Sequence, residues 1–230
     1  MNGTLALAGS GEYLERMDVV DRLLLSRLPG EPRVVCLPTA SAPDGATVFD
    51  DWAERGVRHF TRLGVQAESV PVRDRRSADD ATLAERIRAA NFVYLSGGKP
   101  DFLHATLKDT AAFAALTEVL DRGGVVAGCS AGAMIWGEVI PNFPIMLPLK
   151  KVFNRLPNTV IVPHYDEFGE RWGGMIKSVI GNRSLVGIDG YTALVCADGA
   201  YRVAGHGGVT VWNKRRKVRN TDGQAVPLIG

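Results

Sequence analysis

Gly123-Gly-Val-Val-Ala-Gly-Cys-Ser-Ala-Gly-Ala-Met134 is the stretch on which the reading of the fold turns. A short apolar run, Val125 to Ala127, enters Gly128-Cys129-Ser130-Ala131-Gly132, and the small, helix-compatible Ala133 and Met134 follow. The order is strand, tight turn, helix. A Gly-x-Ser-x-Gly pattern in that context is a nucleophile elbow, a turn so sharp that the positions two before and two after the serine must lack side chains. Ser130 is therefore expected to stand clear of the sheet edge. A helix starting at Ala131 would aim free N–H groups and the positive end of its dipole at the same point, which favours a developing oxyanion. The plainer alternative is a tight β–α connection built of small residues; the strand before and the helix former after favour the elbow.

Upstream of the elbow, strand and helix patterns alternate. Leu5 to Ala8 reads as a strand buried on both faces, and Gly9-Ser10-Gly11-Glu12 turns it into a helix with Leu14, Met17, Val20, Leu24 and Leu28 at helical spacing. Val34 to Leu37 is a second strand ending in the small-residue loop Pro38 to Pro43, followed by a helix over Ala46 to Leu63 and a strand over Ala67 to Val72. Ser77 is read as the cap of a helix that turns Leu83, Ile87 and Ala90 inward. Phe92 to Leu95 forms a fourth strand ending in Ser96-Gly97-Gly98-Lys99-Pro100, and Ala111 to Leu120 a helix. This rhythm predicts an α/β fold, a mostly parallel sheet with helices on both faces, whose ligands bind beyond the strand C-termini. The loops at Gly9, Pro38, Gly97 and Gly128 gather there. Gly9-Ser10-Gly11 is not read as a dinucleotide loop, because Leu14 takes the place of the third glycine and Glu12 would face the phosphates.

Downstream, Pro141 to Pro157 is irregular and a candidate flap. Thr159 to Val162 is again a strand. Leu185 to Asp189, Ala193 to Cys196, Tyr201 to Ala204 and Val209 to Trp212 are short strands between glycine-rich turns, which predicts a small antiparallel C-terminal extension at one edge. Residues 1–230 are read as one domain, a length that suits a single core.

Composition narrows the partners. A net charge of +2 gives no global attraction to nucleic acid, and the one basic run, Lys214 to Lys217, is read as the solvated end of a hairpin. No apolar run approaches the roughly 18 residues needed to span a bilayer, and Met1 to Gly9 reads as a first strand rather than a signal peptide. Cys36, Cys129 and Cys196 sit in apolar runs without zinc spacing, as buried thiols of a reduced compartment. No metal or cofactor is implied, the expected location is the cytoplasm, and monomer and homodimer both stay open.

A serine hydroxyl needs a base, and histidine is the usual one because it titrates near neutrality. His59 and His104 fall on polar faces of helical segments and are read as surface groups; His206 lies in a predicted hairpin turn. His164 ends the strand Thr159 to Val162 and is the preferred base, within reach of the same sheet edge. For the carboxylate that orients the imidazole, Asp189 at the end of an apolar strand ranks first, Glu138 second and Asp166 third. Asp166 and Glu167 lie so near His164 in sequence that they are expected to point elsewhere. Gly97 and Gly98 directly after a buried strand are candidates for a second oxyanion donor. Cys129 is expected to point into the core.

At these residues the chain resembles the dipeptidase E and cyanophycinase family of serine peptidases, whose fold is like that of class I glutamine amidotransferase domains and is flavodoxin-like. The resemblance rests on Ala8-Gly9-Ser10-Gly11-Glu12, Leu37 to Ser41, Ser96-Gly97-Gly98, Gly128 to Ala133, Pro163-His164-Tyr165, Val186 to Asp189 and Thr192-Ala193-Leu194. It implies Ser130 as nucleophile, His164 as base, and Gly98 and Ala131 as sources of the oxyanion-hole N–H groups. Three departures stand out. An acid commonly follows the aspartate of the Gly-Ile-Asp segment in relatives, and Gly190 stands there. Lys99-Pro100 follows the glycine pair. Val162-Pro163-His164 and a single Arg171 replace the segment and arginines expected of a cyanophycin hydrolase. The expectation is a peptidase acting on small peptides, with cleavage beside an acidic residue as the candidate specificity and Lys99 or Arg171 as candidates to hold that carboxylate. An inert binding domain of the same fold, and an esterase or amidase using the same serine, are the alternatives.

Overall fold

Leu5 and Leu7 enter one hydrophobic cluster and Ala6 and Ala8 another, so the first strand is buried on both faces, as its unbroken apolar run requires. The computed structural model describes residues 2–142, 146–214 and 216–227, the side chains of 168–171 excepted. In chain order the elements are β1 (Thr4–Ala8), α1 (Asp18–Leu25), β2 (Arg33–Leu37), α2 (Ala46–Arg62), β3 (Gln66–Ser69), α3 (Arg75–Ala78), α4 (Ala81–Ala89), β4 (Phe92–Leu95), α5 (Pro100–Leu107), α6 (Ala111–Asp121), β5 (Val125–Cys129) and α7 (Ala131–Met134). They continue with β6 (Val139–Asn142), β7 (Met146–Lys151), β8 (Thr159–Val162), α8 (Tyr165–Val179), β9 (Ser184–Ile188), β10 (Thr192–Ala197), β11 (Ala200–Gly205), β12 (Gly208–Trp212) and β13 (Lys217–Thr221).

Among the described residues seven strands form the central sheet, ordered β11-β10-β1-β5-β4-β2-β3. β1, β5, β4, β2 and β3 run parallel, while β10 and β11 add an antiparallel edge. Val20 and Leu24 from α1, Phe60 from α2 and Met17 just before α1 fill one face. Residues from α4 to α6 (Ile87, Leu103, Leu116, Val119) fill the other. Each such side chain taken from water stabilises the fold by about 1.5–3 kcal/mol before entropy is counted. The parallel α/β fold read from the sequence is therefore present, with the β5–α7 elbow near the middle of the sheet.

The C-terminal half is more elaborate than an edge extension. β13, β12, β9 and β8 form a separate four-stranded sheet in which β8 and β9 are parallel. Ile161, Val186, Ile188, Val209 and Val211 from this sheet join the same core as Val126 and Leu7, so it packs on the central sheet. α8 covers its other side through Tyr165, Ile176 and Ile180. The chain crosses between the sheets at Asp189-Gly190-Tyr191 and at His206-Gly207. The latter is thus a link between sheets and not the hairpin turn read from sequence. Ser10 and Gly190 bridge the ends of β1 and β9, and Tyr191 donates its N–H to the Ser10 carbonyl at 3.1 Å.

Other local readings need correction. β6 and β7 pair as a hairpin within the stretch read as irregular; the part of that flap at residues 143–145 lies outside the described residues. Leu14 is exposed, because α1 starts only at Asp18. Asp80, not Ser77, caps α4, while Ser77 forms a capping box with Asp74 on the short α3. His59 is buried, not a surface group: its Nε2 lies 2.8 Å from Asp21 Oδ2, a partner supplied by α1 that no pattern within α2 reveals. His104 is half-buried against the Phe153 ring, and burial pushes its pKa down.

Candidate active site

Ser130 carries the backbone strain that an elbow demands. It sits at φ 50°, ψ −111°, a combination that costs a non-glycine residue about 1–3 kcal/mol. The turn is held by Ser130 N–H to the Ala8 carbonyl and by the Ser130 carbonyl accepting from Ala133 and Met134, each at 3.0 Å. A Cβ at Gly128 would lie 2.1 Å from the Gly132 carbonyl oxygen, and one at Gly132 would lie 2.4 Å from that of Leu95. Both glycines are thus required by close approach. α7 is a single turn ending at Met134, so the help it offers an oxyanion is a free N–H and not a long helix dipole.

Opposite the serine stands His164, in the left-handed region (φ 52°, ψ 33°) between β8 and α8. Its Nε2 is 3.1 Å from Ser130 Oγ, and its Nδ1 is 3.3 Å from Glu167 Oε1. The second contact follows from helix geometry. His164 is the residue before α8 and Glu167 lies in its first turn, three positions on, which returns the carboxylate to the imidazole. With the ring proton on Nδ1 donated to Glu167, Nε2 is left to accept the serine hydroxyl proton.

Three acids ranked from the sequence are engaged elsewhere. Asp189 is buried at the crossing between the sheets, where Oδ2 accepts the Gly208 N–H at 2.9 Å and pairs with Arg219. Oδ1 has no hydrogen-bond partner, so the carboxylate does not bond His164. A strand-end aspartate beside glycine serves here as a junction staple. Glu138 pairs with Arg183 at 2.6 Å, beyond the end of α7. Asp166 accepts the Gly190 N–H at 2.8 Å, tying α8 to the turn after β9. The carboxylate beside the imidazole is Glu167, against the expectation that it points elsewhere; its three-residue spacing from a histidine at a helix start is the signal that could have found it.

The oxyanion candidates separate in the same way. Gly97 donates its N–H to Glu12 Oε1 at 2.9 Å and is not available to a substrate. The N–H groups of Gly98 and Ala131 make no hydrogen bond within the described residues. Lys99 is largely exposed and 3.6 Å from Asp44 Oδ1; the Arg171 side chain lies outside the described residues. Cys129 is fully buried with Sγ 2.9 Å from Glu12 Oε2, and burial first, then the Glu12 charge, raises its pKa well above the usual thiol value. It is no nucleophile. Among the described residues no group of three or more His, Cys, Asp and Glu side chains could hold a metal ion.

The sequence model of peptidase family S51 matches residues 5–204, which takes in the elbow, His164, nearly all of the central sheet and strands β8 and β9 of the second. The chain belongs to peptidase family S51. Membership makes it a serine-type peptidase of the dipeptidase E and cyanophycinase group, as the motifs implied. A peptidase from an acI-B1 Actinobacterium superposes on this S51 chain with a TM-score of 0.89 at 29% identity, over 98% of this chain and 97% of that one. A putative Peptidase E protein from Listeria monocytogenes has the same fold at a TM-score of 0.59 and 20% identity, over 96% and 99% of the two chains.

Among curated S51-like sequences, the uncharacterized peptidase Lmo0363 of Listeria monocytogenes is 27% identical over 74% of this chain and 83% of its own length. A cyanophycinase of Synechococcus elongatus is 28% identical over 78% of this chain, and one of Trichormus variabilis 27% over 68%. The matches span 58% and 57% of those two cyanophycinases, little more than half their length. Among the described residues no helix is long and apolar enough to cross a membrane.

Proposed function

We propose that this chain is a peptidase of the dipeptidase E type that hydrolyses short peptides, possessing a Ser130–His164–Glu167 triad. The observation that carries the reading is the 3.1 Å separation of Ser130 Oγ and His164 Nε2, with the serine on a strained elbow. Oγ attacks the scissile carbonyl carbon while its proton passes to Nε2. The carbonyl oxygen, now an oxyanion, is held by the N–H groups of Gly98 and Ala131. Imidazolium then gives its proton to the departing amine nitrogen as the C–N bond breaks, which leaves an acyl ester on Ser130. Water, deprotonated by His164, cleaves that ester and restores the hydroxyl. Glu167 fixes the imidazole and offsets the charge it gains.

The family resemblance supports short substrates, and the β6–β7 hairpin adds a border to the site. Lys150 of the β6–β7 hairpin pairs with Asp101, close behind the Gly98 loop, so the hairpin borders the site. Cyanophycin is a poor fit, because the segment and arginines expected for it are replaced.

The test is a panel of aspartyl dipeptides, β-aspartyl dipeptides and simple esters, run with wild type and Ser130→Ala. Dipeptide cleavage that disappears in Ser130→Ala is the expected result. Cleavage of esters alone would move the assignment to an esterase, and full peptide turnover by Ser130→Ala would remove the mechanism.

A further inference from the structure

Glu12 lies where three neighbouring strand ends meet. It belongs to the turn after β1, and its carboxylate reaches the loop after β4 and the last residue of β5. Oε1 accepts the Gly97 N–H at 2.9 Å, and Oε2 takes the Cys129 thiol at 2.9 Å. The side chain is buried, with 9% of the residue exposed, so neither bond is a surface accident.

We propose that Glu12 is a positioning residue: it turns the Gly97 N–H away from the substrate, leaves the next N–H, that of Gly98, to the oxyanion, and ties this loop to the residue directly before the nucleophile. The proposal rests on the reading of Ser130 and Gly98 given above and goes beyond it by naming what holds the oxyanion loop in place.

Two consecutive glycines are the most freely rotating pair a chain can offer, and a free pair would swing its N–H groups over many directions. On the far side the Lys99 N–H is fixed to the Ala40 carbonyl at 2.7 Å. On the near side, among the described residues, Glu12 alone holds the Gly97 N–H. An ionised carboxylate is an acceptor at both oxygens, so it takes the amide and the thiol together with no donor left to compete. Its charge opposes the oxyanion. A Cβ placed at Gly97 would lie 2.8 Å from Glu12 Oε1 and 3.3 Å from Ser130 Cβ, so the carboxylate is close to the reacting serine. Charge alone would therefore slow the reaction, and the benefit of Glu12 is geometric.

The variants Glu12→Gln, Glu12→Asp and Glu12→Ala separate these effects. Glutamine keeps an acceptor at the Oε1 position without the charge, whereas aspartate keeps the charge but falls one methylene short. Expected are a kcat for Glu12→Gln within about tenfold of wild type, and a loss of about 100-fold for Glu12→Ala with KM changed little. Exchange of the Gly97 amide proton, followed by NMR, should be slow in wild type and Glu12→Gln and fast in Glu12→Ala.

That exchange readout needs no activity. If wild type fails to react at Ser130, the functional reading falls while the anchoring role is still decided by the Gly97 amide. Should Glu12→Ala not fold, exchange of the Gly97 amide in Glu12→Gln and Glu12→Asp decides: protection kept in the glutamine variant and lost in the aspartate variant supports anchoring, and equal protection in the two overturns it. Wild-type kcat in folded Glu12→Ala, or unchanged protection of Gly97, also overturns it.

Discussion

Ser130 and His164 meet from two different sheets. The serine follows β5 in the seven-stranded sheet and the histidine follows β8 in the four-stranded one, yet Oγ and Nε2 are 3.1 Å apart. Their distance therefore depends on how the sheets are joined. The junction is polar: Asp189 takes the Gly208 N–H and Arg219, while Thr192 Oγ1 accepts from the Gly207 N–H at 2.7 Å and donates to the Gly190 carbonyl at 3.1 Å.

Asp189→Ala removes the buried half of that junction and leaves the Gly208 N–H unpaired. A loss of about 2–4 kcal/mol in urea unfolding is expected. Asp189→Asn keeps an acceptor, and its kcat per folded molecule should stay within about twofold of wild type. A loss of 1,000-fold or more at unchanged stability, on the order seen when a triad acid is altered, would return Asp189 to the triad.

Glu167→Gln tests the acid that stands beside the imidazole. The carboxylate side chain is 62% exposed, so its field is screened and its contribution smaller than that of a buried acid. A fall in kcat of about 10- to 100-fold is expected, with KM changed little, in a steady-state assay on the cleaved dipeptide. Equal kcat in the two proteins would show that His164 needs no help from Glu167.

Strain at the elbow predicts a trade between stability and activity. Ser130→Ala keeps a side chain at φ 50°, whereas Ser130→Gly relieves the conformation. Both lose turnover, but the glycine variant should be more stable than the alanine variant by about 1 kcal/mol, after allowing for the greater freedom of its unfolded chain. Equal unfolding midpoints would mean that the turn is not strained.

Acid lability follows from paired carboxyls. Hydrogen bonds from Arg62 lower the Asp18 pKa, and those from Arg88 lower that of Glu118. Each native pKa lies below its unfolded value near 4, so the unfolded state binds more protons as the pH falls. The stabilisation is complete above about pH 5 and is lost on descent through the lowered native values. Asp18→Asn should cost about 0.5–1 kcal/mol at pH 7 and nothing near pH 2, measured by chemical unfolding at both. A difference that grows in acid would reverse the sign.

Unbroken apolar runs make β1, β2, β4 and β5 legible and helical spacing the helices packed on them, whereas the edge strand β3, Gln66-Ala-Glu-Ser69, carries no such run and reads too far along, at Ala67 to Val72. The elbow was legible for a local reason: Gly128 and Gly132 are dictated by contacts within a few residues of Ser130 and with Leu95. What stayed hidden depends on distant partners. β8 reads the same whether it joins the central sheet or pairs with β9. His59 looks like a polar-face residue until Asp21 arrives from another helix. Glu167 reads from the sequence as too near His164 to face it, although a turn of helix starting between them is what brings them together.

Reaction of the wild-type protein with a fluorophosphonate probe, followed by intact mass and peptide mapping, tests the nucleophile directly. One phosphonyl group per chain, located on Ser130, absent from Ser130→Ala and formed at least about 100-fold more slowly in His164→Ala, is the predicted result. Peptide hydrolysis by a protein that takes no adduct at Ser130 would contradict it.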